Sequence, residues 1–411
     1  MNLLVSKTAV QKFKNITIND YINYIFVLYA FLLPISRGGI SILSALLFIL
    51  WLFSNDFRKK IDFIKSNKVI FYLLAFIGFN VLSLIWSENI SSGIYYIRKY
   101  WYFLVILVIA TTIKKRFMEY GISAFLAGML VSEILSYGVF FELWSFKNAT
   151  VDFPNPFMNH IQYSMFLAFT SLLLLNKIFY EENAKIKVFY SLFFLTTTIN
   201  LLINAGRTGQ AAFAVSIFLV GFLNIKNRVF AFFGILFLIL SLFYASYQLS
   251  PNFKKRADIG LSDIEELINN KDYCTSIGLR LGAWSIGSEI FLNNPILGIG
   301  VTNDMDRLKE SVLVNHPDMS CVAKMPSYHN FYMQVAVHLG IVGLFLYLMI
   351  FYNILKLKIG DRYYFNMMII FISVYSISSL VENMFHEQFS AAILALFAGI
   401  FIAQSRIENE A

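Results

Sequence analysis

The sequence predicts an all-α polytopic membrane protein of about twelve transmembrane helices, with one large outward-facing loop containing short amphipathic helices. Three observations predict it. Of 411 residues, 58% are hydrophobic and only 14% charged, with mean hydropathy +0.65, a composition that excludes a soluble domain. The apolar residues form continuous runs of about 16–25 residues, unlike the roughly ten-residue alternation of a barrel strand. The basic residues also follow the runs in a strongly one-sided way.

The runs fall at about 21–36, 40–54, 69–86, 100–113, 121–143, 160–180, 187–204, 208–223, 229–247, 329–355, 364–381 and 389–404. Residues 1–20, with Lys7, Lys12 and Lys14, read as an uncleaved cytoplasmic tail before a true span. Twelve spans then return the other terminus to the same side. On that side the segments hold 20 Lys and Arg, against five in the short outer segments: Arg37, Arg98, Lys99, Lys147 and Arg207. The net charge of +8 therefore follows membrane orientation and implies no nucleic-acid partner. The 43 Phe and 23 Tyr suit lipid-facing surfaces and interfacial belts, so no cofactor is needed to account for them.

Residues 1–411 are read as one integral membrane domain, with the outer loop 248–328 inserted between the ninth and tenth spans. Within it, Leu279, Ala283, Ile286 and Ile290 recur at helical spacing, with Arg280, Trp284 and Ser288 on an adjacent face. Asn293-Asn294-Pro295 ends that helix, and Gly298 and Gly300 follow as turn residues. This predicts a surface helix forming a lid or floor, with further short helices near 262–270 and 304–313. Cys274 and Cys321 both fall in the loop, where they are either disulfide-bonded or two free thiols. Neither has zinc spacing.

The ionisable residues that could carry chemistry gather at the outer boundary, with Glu133 the main exception. Arg207 lies in Asn204-Ala205-Gly206-Arg207-Thr208-Gly209, a turn expected to join spans seven and eight as a hairpin. Its glycines would admit a ligand to the backbone, and its guanidinium would enter the outer headgroup layer. The plainer reading is a snorkelling, lipid-phosphate arginine. For Arg280 the plainer reading is a solvated helix face. His329 opens span ten beside Asn330, with His338 further along. Imidazoles titrate near neutrality, which suits a general base, although a histidine at a helix start is often only structural. Glu382, Asn383, His386 and Glu387 lie between the last two spans, placed to orient His329, bind sugar hydroxyls, or cap a helix. His160 starts span six in a capping or site role, and Arg98 and Lys99, before Tyr100-Trp101, are secondary phosphate contacts or part of an aromatic belt. Asp304-Met305-Asp306 matches the acidic pair that holds a metal and sugar nucleotide in many glycosyltransferases, but so short a motif is read as a solvated helix end. No metal ligand is assigned.

Three segments together resemble the bacterial O-antigen ligase and polymerase superfamily. They are Arg207-Thr208-Gly209; then Gly278-Leu279-Arg280 with Trp284 and Asn294-Pro295-Ile296-Leu297-Gly298-Ile299-Gly300; then His329-Asn330 with Leu339-Gly340-Ile341-Val342-Gly343-Leu344. The resemblance covers about residues 195–350 in detail and the whole chain in layout, and is closest to the ligase. It implies a helical inner-membrane enzyme with cytoplasmic termini and a periplasmic active site, moving a glycan from undecaprenyl pyrophosphate to lipid A–core without metal. Arg207 and Arg280 would match the family's pyrophosphate-binding arginines, and His329 its catalytic histidine. The N-terminal half carries no matching motif.

The chemistry agrees independently. Outside the cytoplasm there is no nucleoside triphosphate, so a glycosyl donor must carry its own leaving group, as a polyprenyl pyrophosphate does. Two arginines would stabilise the charge growing on it, and His329 would deprotonate the acceptor hydroxyl, which implies inversion without a covalent intermediate. The competing readings are an O-antigen or related polysaccharide polymerase, a protein O-oligosaccharyltransferase, and a lipid or polysaccharide transporter. Many polymerases show an Arg-x10-Gly pattern, and no arginine here has glycine eleven residues later. An oligosaccharyltransferase is expected to add a soluble region after the last span, and a transporter to place its ionisable groups at the midplane of broken helices.

Overall fold

The computed structural model describes residues 17–410 apart from 148, 205, 250, 302 and 303; Lys7, Lys12 and Lys14 of the expected tail lie outside the described residues. Every regular element among the described residues is helical. The chain begins with α1 (Ile18–Leu32), α2 (Arg37–Leu52), α3 (Phe57–Ser66) and α4 (Lys68–Leu82). Next, α5 (Ile90–Ile97) runs through a 3-10 segment, Arg98–Phe103, into α6 (Leu104–Thr112). There follow α7 (Lys115–Phe140), α8 (His160–Tyr180), α9 (Ala184–Ile203), α10 (Arg207–Asn224) and α11 (Arg228–Leu249). The predicted loop holds α12 (Pro251–Asn270), α13 (Ser276–Asn293), α14 (Asp304–Asn315) and a 3-10 segment, Pro317–Lys324. The chain closes with α15 (Phe331–Leu355), α16 (Arg362–Ser379), a 3-10 turn at Met384–His386, and α17 (Gln388–Glu410). Short polar residues start many of these helices: Ser36, Asn67, Asn159, Asn183, Asn330 and Asp361 each accept a free N–H of the first turn.

Among the described residues, eight helical runs are long and apolar enough to cross a membrane: 68–85, 90–112, 115–140, 160–180, 184–203, 228–249, 331–355 and 388–410. α2 and α3, bent by 110°, make a ninth if they count as one span. The expected spans at 21–36, 208–223 and 364–381 correspond to α1, which is only 15 residues long, and to α10 and α16. These last two begin with Arg207 and Arg362 and end with Asn224 and Ser379, so polar residues take up part of their length.

α17 and α8 form the centre. Residues 389–405 of α17 are buried throughout, against α6 and α16; α8 is enclosed by α9, α10 and α16. α11 buries only Ala231 and Ile235, leaving an apolar outer face suited to lipid. Inside the bundle, Thr197 donates to Glu133 Oε2 at 2.8 Å, so the one carboxylate singled out away from the boundary is held between α7 and α9.

The 251–324 region folds around a small core of its own, in which Ala283 and Ile286 of α13 meet Leu308 and Val312 of α14, with Val322 and Tyr328. Cys274 and Cys321 are disulfide-bonded, with Cα atoms 5.5 Å apart, tying the entry of α13 to the 3-10 segment. α12 begins well before the expected 262–270 helix, and α14 runs slightly beyond 304–313.

Candidate active site

The site begins with a break in α15. At Gly340 (φ +63°, ψ −160°) the helix is interrupted, which strands the N–H groups of Ile341 and Val342 and the carbonyls of Val337 and His338 that would have paired with them. The segment 295–300 takes up all four. Ile341 N–H donates to Pro295 O (2.8 Å) and Val342 N–H to Ile296 O (3.4 Å); Ile299 N–H donates to Val337 O (3.0 Å) and Gly300 N–H to His338 O (2.9 Å). Buried backbone groups demand such partners. The two glycine-rich motifs are therefore halves of one joint that clamps the end of α13 to the first half of α15.

That joint sets His329. Tyr328 is fully buried, and its carbonyl accepts from Trp284 Nε1 of α13 at 2.8 Å. Asn330 caps α15 by accepting from Met333 N–H at 3.1 Å. The chain must turn between these two anchors, and His329 does so at φ +46°, a left-handed conformation that costs a non-glycine residue about 1–2 kcal/mol. His329 thus precedes the helix instead of opening it.

His329 Nδ1 lies 3.0 Å from Glu382 Oε2. Burial by itself would raise the Glu382 carboxyl, but the His329 bond and charge, the Asn383 N–H and the charge of Arg280 hold it below its ordinary value. An ionised carboxylate only accepts, so His329 donates through Nδ1. In the neutral imidazole, Nε2 then keeps its lone pair.

Both residues line a cavity of about 700 Å³ with Asp304, Gln334, Lys99 and His386. Asp304 is buried: its Oδ2 accepts from Gln334 Nε2 at 2.6 Å, and its Oδ1 is 3.2 Å from His338 Nε2. This overturns the solvated reading of Asp304, because the 295–300 clamp carries α14 onto α15. His386 stacks on Tyr96 at 3.7 Å, with Nε2 3.0 Å from the Tyr96 carbonyl and Nδ1 3.5 Å from Lys99 Nζ. Burial, then the neighbouring Lys99 charge, pulls the His386 pKa down to about 3, so this imidazole is neutral at physiological pH.

A cluster of arginines adjoins. His160, first in α8, is within electrostatic reach of Arg256, Glu382, Arg280 and Arg207, and Arg207 is within reach of Asp263, Arg280 and Arg256. Among the described residues no carboxylate lies at ion-pair distance from any of the three guanidiniums. Arg207 and Arg256 also line a groove of about 470 Å³ whose other walls include Phe243, Tyr247, Phe253 and Leu261, an apolar channel with cations in its wall.

The structure thus brings Arg207, Arg280, His160, His329, Glu382, Lys99 and His386 to one end of the helices, and it revises several details. α9 and α10 do not pair as a hairpin; each lies along α8. The glycines around Arg207 serve that packing: a Cβ on Gly206 or Gly209 would come within 2.3 or 2.1 Å of Ser164 atoms. They fit the backbone to α8 and not to a ligand. Arg207 Nη1 lies against Gly260 of α12, 2.9 Å from where a Cβ would stand, so the guanidinium is covered by α12. His160 does not cap α8; Asn159 does, accepting from Gln162 N–H at 2.8 Å. Arg98 stacks over Tyr95 at 3.6 Å, facing a neighbouring cavity. Sequence reasoning missed Arg256 and Gln334. Lys254-Lys255-Arg256 next to an apolar run was an available signal for the first; Gln334 offered none.

Residues 192–348 match the family described as O-antigen ligase. The matched stretch runs from the middle of α9 into the second half of α15 and includes Arg207, Arg256, Arg280, both halves of the glycine joint and His329. It agrees with the resemblance to the O-antigen ligase and polymerase superfamily and supports an enzyme of that glycosyltransferase-like type in a membrane. No curated protein matches the chain.

Proposed function

We propose that the protein is an O-antigen ligase that moves a glycan from undecaprenyl pyrophosphate to lipid A–core at the periplasmic face of the bacterial inner membrane, by a metal-independent, inverting displacement. In this reading the chain crosses the membrane twelve times with both termini cytoplasmic, and 248–328 is the periplasmic loop. The observation that carries it is His329, held through Nδ1 by Glu382 with Nε2 left to take a proton, in the same region as Arg207, Arg256 and Arg280, none of which has a carboxylate at ion-pair distance among the described residues.

The polyprenyl chain enters the apolar groove beside Arg207 and Arg256, which places the pyrophosphate among Arg207, Arg256 and Arg280. The acceptor hydroxyl attacks the anomeric carbon of the donor sugar and gives its proton to His329 Nε2. The carbon–oxygen bond to the pyrophosphate breaks, and its electron pair stays on the phosphate oxygen. The guanidiniums stabilise that charge by charge-assisted hydrogen bonds, and Glu382 stabilises the imidazolium. Attack opposite the leaving group inverts the anomeric centre.

The test is transfer by the purified full-length protein in nanodiscs, from lipid-linked glycan to rough lipopolysaccharide, with and without a chelator. Undiminished transfer with chelator is expected; a strict need for divalent metal would instead bring Asp304 and Asp306 forward. In a deletion strain, loss of all polymer from lipid A–core is expected. A single repeat left on the core would make the protein a polymerase.

A further inference from the structure

The His329 cavity has a neighbour. A second cavity, of about 510 Å³, is lined by three cations, Arg37, Arg98 and Lys99. Lys99 and Glu387 line both cavities, so the two meet across those side chains. The arginine groove beside α12 is a separate place and has no lining residue in common with it.

Its charge is unbalanced. Glu387, which accepts from Gln162 Nε2 at 3.1 Å, is the only carboxylate among the described lining residues. Neither Arg37 nor Arg98 has an ion-pair partner among the described residues. Both side chains are exposed, and each lies over an aromatic ring. Arg98 lies over the Tyr95 ring at 3.6 Å and Arg37 over Phe389 at 5.5 Å. The Arg37 carbonyl accepts from Gln388 Nε2 at 2.9 Å, which also donates to Ser41 Oγ at 3.0 Å. Guanidiniums held on aromatic faces lose less freedom on binding than snorkelling ones, and their planar forks match a phosphate.

The volume and walls narrow the ligand further. A cavity of about 510 Å³ far exceeds an inorganic phosphate, and Trp101, Tyr102 and Phe389 give it an apolar wall. The occupant is therefore an amphiphile bearing an anionic group.

We propose that this cavity is the acceptor subsite and that it recognises the acceptor through a phosphate on an amphiphilic molecule. A phosphate seated on Arg37 and Arg98 lets the rest of the headgroup pass Lys99 and present a hydroxyl to His329, while the donor pyrophosphate occupies the separate arginine cluster. The acceptor role rests on the transferase reading above; binding of the phosphate-bearing amphiphile does not.

The experiment uses the full chain in a maltoside detergent and three probes: dioctanoyl phosphatidic acid, dioctanoylglycerol and inorganic phosphate. Phosphatidic acid should bind at least about tenfold tighter than the other two, the scale of one charge-assisted contact. Arg37→Gln/Arg98→Gln should lose about tenfold or more of that affinity. Arg37→Lys/Arg98→Lys, which keeps both charges but not the planar forks, should retain part of it and guard against misfolding, and Lys59→Gln, at an exposed position on α3, should leave it intact. In the transfer assay the glutamine pair should raise the KM for rough lipopolysaccharide and not the KM for donor, and stripping the acceptor of phosphates should mimic the variant. Inorganic phosphate binding as tightly as phosphatidic acid, loss of binding in Lys59→Gln but not in the glutamine pair, or an acceptor KM indifferent to its phosphates would each overturn the proposal. If no preparation transfers glycan, the transferase reading falls, and the binding measurements still decide the phosphate site.

Discussion

Gly340 passes so close to Ile296 that a Cβ built on it would stand 2.3 Å from the Ile296 carbonyl oxygen. The same residue breaks α15 and aims the backbone groups that hold 295–300. Gly340→Ala should therefore destabilise the protein by about 1–3 kcal/mol from the backbone conformation alone, with the steric overlap adding to it. The check is the unfolding temperature in mild detergent. A variant as stable as the parent would show that the two segments do not depend on this contact.

Gly260 makes a subtler case, because the atom its Cβ would meet is the mobile end of Arg207. Gly260→Ala should leave the unfolding temperature nearly unchanged, since the guanidinium can swing aside. It should still raise the donor KM several-fold by moving a phosphate contact worth roughly 1.5–3 kcal/mol. An unaltered donor KM would argue that Arg207 acts in some other position.

For the His329–Glu382 pair, His329→Ala should lower kcat by at least about 10²-fold, the scale of losing a positioned base. Glu382→Gln keeps an acceptor but removes the charge that stabilises the imidazolium, and should lower kcat by roughly 10-fold or more with little change in donor KM. Stability offers a second readout. The folded-state pKa of Glu382 is lowered from 4.5, so its ionised form contributes stability above that value, which is lost as pH falls through the lowered one. The gap in unfolding temperature between wild type and Glu382→Gln should close in acid.

His386 predicts a different window. Its folded pKa of about 3 lies below the ordinary 6.5, so the unfolded chain takes up a proton through 6.5 while the folded chain refuses it. Stability should be undiminished above 6.5 and decline as pH is lowered toward 3, by at most about 1.4 kcal/mol per pH unit. His386→Phe, which preserves a ring against Tyr96, should flatten that slope between pH 7 and 5. An identical slope would assign the dependence to another group.

Fold class was legible in the sequence because hydropathy and its period are local properties. Runs of apolar residues become helices wherever they lie, and the spacing of Leu279, Ala283 and Ile286 marked α13 without knowledge of its neighbours. The collection of Arg207, Arg280, His329 and Glu382 at one end also followed from the sequence, since it depends only on which segments alternate along the chain. What the tertiary structure decided are the relations between segments remote in sequence. Glu382 finds His329 across 53 residues, and Asp304, read as solvated, is drawn under α15 to meet Gln334 and His338. Arg256 joins Arg207 because α12 folds back over the turn after α9. The two glycine motifs, separate along the chain, are one joint because each satisfies the backbone groups the other leaves open. No local pattern encodes such pairings: they arise when buried polar groups have to find partners and only one packing of the helices supplies them.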